Sequence, residues 1–338
     1  MDNHLFLTDK IKFIYSIKHT LKRLHKCEDA RTIKPYKSVP ELITHLEQVE
    51  WNPLTFTEQE KEIALHFFTY TNYYNFSVYR KHLPREPHKQ HTFSDCLKLY
   101  DFDTFLRENI NKFTGIVELM VRATLTTELC TAYTGDFNKA DFYLDLSIYQ
   151  SKNFGSKVLS TIFERVNNSK SESILHHLTN KNGHIPFWVL VEELTFGELC
   201  TFFEALTKEY RTGWLFRAFS KQESKHLITW FNSCRYMRNT CAHYSRIYGR
   251  YFTFAPPKYL LNDLRKAEVK KNQNETLFAR LLAIKNILAY SIYTDHEKWN
   301  NFIKQLRDEI SEKETIIRLD KMGFPINWYD MLYFENFH

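Results

Sequence analysis

Arg238-Asn239-Thr240-Cys241-Ala242-His243 places a fixed positive charge and a neutral-pH proton carrier five residues apart. That pair has the makings of metal-free chemistry on a phosphodiester. Histidine moves protons near neutral pH, and arginine presents a planar, forked cation that matches phosphate. Arg85 and His91 form a looser pair in a stretch broken by Pro87. The helix predicted from about Ser224 to His243 makes the later pair the better candidate. Leu227, Phe231, Cys234 and Cys241 recur there at helical spacing, with Met237 at the edge. At about 100° per residue, Arg238 falls in the middle of that apolar stripe, where an unpaired charge is costly and needs a partner or a task. His243 lies about 140° from it on an ideal helix. The two are expected to converge at a loosened helix end or through a second copy of the helix. The alternative is structural: a salt-bridged arginine in the core, and a histidine placed where the helix dipole favours it.

The chain has 338 residues, enough for two average domains or one larger one. Apolar content of 43% and aromatic content of 16% supply a sizeable core. Only 8 glycines occur, which weighs against turn-rich β folds and glycine-rich phosphate loops. Neither GxxxxGK[ST] nor GxGxxG is present. The six cysteines are scattered and none forms CxxC, so no metal site and no cofactor is expected. No apolar run resembles a signal peptide or a membrane span. The expectation is a reduced, cytoplasmic protein with free thiols.

The net charge of +6 is concentrated at the start. Residues 1–37 carry nine basic side chains against four acidic ones. Ile14, Ile17, Leu21 and Leu24 form an apolar stripe with Lys18 and Lys22 turned away, predicting a docked, basic amphipathic helix. Such a surface suits a polyanion, and RNA is the obvious candidate; a merely solvated face is the other reading. Lys18, Lys22 and Arg23 are candidate phosphate contacts. So are Arg80, Lys81, Arg85 and Lys89, in a basic loop at 80–91 that follows the aromatic stretch 72–79.

The elements that must position these residues read as helices. Ser38 with Glu41 is a capping-box pattern. A helix is predicted from Glu58 into Tyr70. Leu99, Phe102, Leu106, Ile110 and Phe113 predict one strong helix, and 115–133 a second, central one. Glu118 and Arg122 are spaced for an intrahelical ion pair. Residues 151–183 are polar. Pro186 is placed to open a helix, and Gly197 marks a break or close packing. Leu277, Leu281, Ile284 and Leu288 predict a helix near 275–291. The next, with Trp299, Phe302, Leu306 and Ile310, is expected to be capped by Thr294 or Asp295. The fold class is all-α.

Several of these segments together resemble the Abi-like (AbiD/AbiF) abortive-infection family of bacteria, over roughly residues 34–330. Lys34-Pro35 with Ser38 and Glu41 resembles its opening, and Asn72-Tyr73-Tyr74 with Tyr79 its aromatic motif. Leu99-Tyr100-Asp101-Phe102-Asp103 through Leu106-Arg107 is similar to its LYxFDxxLR segment, followed by Glu118 and Arg122. Thr195-Phe196-Gly197 stands where the family has Ser-Phe-Gly. Arg238-Asn239, Cys241-Ala242-His243 and Arg246 resemble its most distinctive segment, and Gly323-Phe324-Pro325 with Trp328 its tail. The resemblance implies a HEPN-like helical bundle with helical N- and C-terminal extensions. Boundaries are expected as 1–92, a core at 93–260, and 261–338 packed on it. It further implies a metal-independent ribonuclease site with Arg238 and His243 as the catalytic pair and Asn239 in support, and Arg246 is a candidate RNA contact. That site is usually composite across two HEPN units, so a homodimer is expected. In HEPN toxins modified on a tyrosine, that residue stands two after the histidine; Ser245 is there in this chain, and Tyr244 comes one earlier. A role in phage defence and a structured noncoding RNA partner are also implied by the resemblance alone. A non-catalytic RNA-binding protein and a phage-sensing interaction protein are the alternatives.

Overall fold

The computed structural model describes residues 35–85 and 90–335. Lys18, Lys22, Arg23 and Lys89 lie outside the described residues, as does the predicted basic helix at 14–24. Fourteen α-helices dominate the rest. The only regular β pairing among the described residues is a two-residue parallel ladder, Leu54–Thr55 (β1) beside His91–Thr92 (β2).

Three helices come first: Val39–Gln48 (α1), Glu58–Tyr70 (α2) and Tyr73–Arg80 (α3). The capping box at Ser38 forms as its sequence predicts: the Ser38 N–H donates to Glu41 Oε2 at 2.6 Å. The axis of the fold is a 40-residue helix, Phe93–Ala132 (α4). The two helices expected at 99–113 and 115–133 are this one element. Gly115, between the two stripes, has open space around its Cα and the helix runs through it. Leu99, Phe102, Leu106, Ile110, Phe113, Val117, Val121, Leu125 and Leu129 carry one buried stripe along the full length. Thr92 caps the start of α4 through the Asp95 N–H at 3.1 Å.

Residues 151–183, read only as polar, fold into Lys152–Asn168 (α5) and Glu172–Asn180 (α6). Pro186 then precedes the short helix Phe187–Glu193 (α7). The break expected around Gly197 falls just before it. Helix Phe196–Ala205 (α8) opens with Thr195 accepting from the Glu198 N–H at 3.3 Å, so threonine does here what serine does elsewhere. Lys208–Ala218 (α9) and Ser224–Ala242 (α10) follow. Helix α10 packs more extensively on α4 than any other pair of elements does.

Four helices complete the chain: Leu261–Ala267 (α11), Leu277–Leu288 (α12), Tyr293–Glu312 (α13) and Trp328–Leu332 (α14). Helix α13 starts two to three residues earlier than its predicted caps. Ile292 occupies the cap position, and Asp295 sits in the first turn, paired with Lys298 at 2.9 Å. Helix α12 is buried on nearly every side and lies against α10 and α4. No helix among the described residues is long and apolar enough to cross a membrane.

Candidate functional site

Helix α10 ends at Ala242, and His243 is its C-cap. The following turn is tight. The Tyr244 N–H donates to Cys241 O at 2.9 Å and the Ser245 N–H to Thr240 O at 3.0 Å. This is a Schellman closure, and it needs a left-handed residue after the cap. Tyr244 fills that place at φ 52°, where glycine is usual. The turn leaves His243 exposed and the Tyr244 side chain 82% exposed.

Arg238 is not in the middle of the buried stripe. Trp230, Ser233, Met237 and Thr240 are buried as well, and they pull the inward arc to one side. Arg238 is left at its border with 40% of its side chain exposed. It does have the carboxylate partner its position called for. Its Nε lies 3.6 Å from Glu118 Oε2, across the α4–α10 contact. Its Nη1 is 3.4 Å from Asn239 Oδ1, a long contact between neighbours. The His243 N–H donates to Asn239 O at 3.1 Å. Arg238, Asn239 and His243 thus share one solvent-facing end of α10.

Glu118 joins two structures. Its Oε1 accepts from Arg122 Nη2 at 2.6 Å, the ion pair expected from the spacing. Arg122 also donates to Leu194 O at 2.6 Å and to Val191 O, satisfying carbonyls at the end of α7. A chain of contacts therefore runs from the α7–α8 corner through Arg122 and Glu118 to Arg238.

The segment after the motif is held from α4 by Asp103, a wholly buried carboxylate. Its Oδ1 accepts the backbone N–H groups of Ile247 at 2.9 Å and Tyr248 at 2.5 Å. Its Oδ2 accepts from Tyr79 Oη at 2.5 Å and from Arg107. Burial, and then the adjacent Asp103 charge, push the Tyr79 hydroxyl far above its ordinary pKa and keep it a donor. The segment is gripped again by Arg280 of α12. This guanidinium donates to Ser233 Oγ at 2.9 Å, to Phe252 O and Phe254 O at 2.7 Å, and to Ala255 O at 2.6 Å. Burial lowers its pKa to about 10, so it stays charged.

The remaining candidates divide. Arg80 is only 5% exposed and its Nη1 donates to Asn52 O at 2.9 Å, so it ties α3 to the β1 approach and offers nothing to a ligand. Arg85 stacks over the Trp51 ring at 4.2 Å. His91 is buried in β2 with Nε2 2.7 Å from Pro84 O, so Arg85 and His91 do not build a second motif. Lys81 is exposed. Arg246 is half-buried and donates to Tyr248 O. The described cysteines, Cys96, Cys130, Cys200, Cys234 and Cys241, are free, and Cys27 lies outside the described residues. Among the described residues no group of His, Cys, Asp or Glu is placed to hold a metal ion.

Sequence reasoning assigned no role to Asp103 or Arg280. One signal was available for each. Asp103 sits on the apolar stripe between Phe102 and Leu106, and Arg280 is the one charge within Leu277–Ile284. A charge in such a run is retained only with partners.

A family profile described as Abi-like protein matches residues 66–249, more than half of the chain. The chain belongs to the Abi-like protein family. A comparison with curated proteins and one with solved structures each found no match. The matched span takes in Asp103, Arg107, Glu118, Arg122 and the whole Arg238–His243 end of α10. In this Abi-like protein the LYxFDxxLR segment is thus the anchor of the motif's trailing loop, and Glu118 with Arg122 braces the motif arginine.

Proposed function

We propose that this Abi-like protein is a metal-independent endoribonuclease that acts as an effector of abortive infection, working on cytoplasmic RNA. The observation that carries the reading is the placement of His243. It is exposed at the Schellman-closed end of α10, five residues after an arginine that is held by a carboxylate yet open to solvent. RNA supplies its own nucleophile, the 2′-hydroxyl. One histidine accepts that proton while another protonates the leaving 5′-oxygen. Arg238 balances the charge gathering on the phosphate, and Asn239 adds a polar contact beside it.

Two histidines are needed and one chain offers one such motif. A twofold homodimer that faces two α10 ends together supplies the second. Such pairing is how HEPN units build their sites, and we read residues 93–260 as a HEPN-like core. A structured noncoding RNA is the proposed controlling partner. The non-catalytic alternative, an RNA-binding protein, draws on the Glu118 carboxylate, which offsets part of the Arg238 charge.

The test is the chemistry of the ends. Purified protein given total RNA in EDTA should leave 2′,3′-cyclic phosphates and 5′-hydroxyls. RNA that is bound and left intact would make the chain a binding protein. Light scattering should show a dimer at micromolar concentration; an active monomer would remove the composite site.

A further inference from the structure

Three distant segments meet behind the motif. Lys81 and His82 follow α3, Arg246–Gly249 is the loop after His243, and Lys321 lies in the 3₁₀ turn Leu319–Met322. Tyr248 holds them together. Its ring meets His82 edge-on at 6.1 Å, and its hydroxyl accepts from the Arg318 N–H at 2.8 Å. Gly249 has φ 65°, and a Cβ there would come within 2.6 Å of His82 Nδ1. The imidazole is therefore pressed against bare backbone, in a position that only glycine allows.

Among the described residues, the charges that shift this ring are all positive. Burial, then Arg246, Lys321 and Lys81, lower the His82 pKa to about 4, so the ring is neutral at pH 7. Among the described residues no carboxylate shifts it and no hydrogen bond engages it. The nearby acids are committed: Asp320 pairs with Arg318 at 3.1 Å, and Asp103 already accepts four donors. Lys81 and Lys321 are exposed and make no ion pair among the described residues. Like charges gathered without a counter-charge cost free energy that an anion recovers.

We propose that Lys81, His82, Arg246 and Lys321 seat a phosphate of the RNA strand that passes the motif. This inference rests on the RNA reading above. Arg246 supplies a planar fork and the two lysines supply mobile point charges. Tyr251, 74% exposed, lines the same surface cleft as Lys321. That layout suits a polymer with bases to stack better than an enclosed small phosphate compound.

The probe is the His82 ring, followed by NMR in full-length protein carrying His243→Ala to prevent cleavage. A short single-stranded RNA should raise the His82 titration midpoint by more than one pH unit, because a bound phosphate favours the protonated ring. Sodium chloride at equal ionic strength should not. Lys321→Glu, a change at an exposed side chain, should cancel the rise and weaken RNA binding by about tenfold, with a salt slope shallower by about 1. RNA that leaves the midpoint in place, or that does not bind, overturns the seat. A rise with inorganic phosphate but none with RNA overturns it as an RNA site. The outcomes are separable from the nuclease reading. Cleavage by the wild type with no shift sinks only the seat, and a shift without cleavage sinks only the nuclease.

Discussion

Glu118 and Arg238 meet across the α4–α10 contact with 3.6 Å between Oε2 and Nε, while the other Glu118 oxygen holds Arg122 at 2.6 Å. One carboxylate thus connects the proposed catalytic arginine to the corner between α7 and α8. The arginine is aimed by this contact and still reaches solvent, as a residue that must meet phosphate requires.

Glu118→Gln removes the charge and keeps the shape. Arg238 then loses its orienting partner, and RNA cleavage should fall at least tenfold. Arg122 keeps its carbonyl acceptors, so the melting temperature should drop by only a few degrees. Glu118→Asp should recover part of the rate. Wild-type cleavage by Glu118→Gln, measured with a fluorescent oligonucleotide, would show that the contact does not position Arg238.

Asp103 offers the clearest stability test. Asp103→Ala leaves Arg107 without its carboxylate and two backbone N–H groups without acceptors, all in the core. Breaking a buried pair of this kind costs about 3–5 kcal/mol. Urea denaturation should show a loss of that order, and amide exchange at Ile247 and Tyr248 should speed up. A loss below about 1 kcal/mol would contradict the anchoring role.

Tyr244 stands in a left-handed position that glycine takes without strain. Tyr244→Gly should stabilise the fold by about 1 kcal/mol, read from the urea midpoint at unchanged m-value. A destabilised variant would show that the exposed ring makes a contact that offsets its backbone strain.

Much of this architecture was legible in periodicity. The all-α class, the capping boxes and the long buried stripe of α4 follow from residues repeated three and four apart. The family pattern supplied the candidate site. What escaped was tertiary. The split into helices at 99–113 and 115–133 does not occur, because a glycine such as Gly115 weakens a helix without ending it when packing on both sides holds the ladder. Arg238 was placed mid-stripe because Trp230, Ser233 and Thr240 were not counted toward the buried face, and burial of serine and threonine depends on neighbours the sequence does not name. Arg80 was grouped with surface cations for the same reason: the Asn52 carbonyl that takes its charge lies 28 residues away. The approach of Lys321 to His82 has no local signature at all.

The central claim is that His243 performs proton transfer on RNA. It is exposed, and its side chain contributes little packing, so His243→Ala should fold and bind RNA like the wild type. The decisive measurement is the rate at which wild-type and His243→Ala proteins cleave total RNA in EDTA, with matched melting temperatures confirming that both are folded. Loss of cleavage by at least a hundredfold in the variant is the predicted result. Cleavage by His243→Ala at the wild-type rate, or none by either protein, would contradict the account.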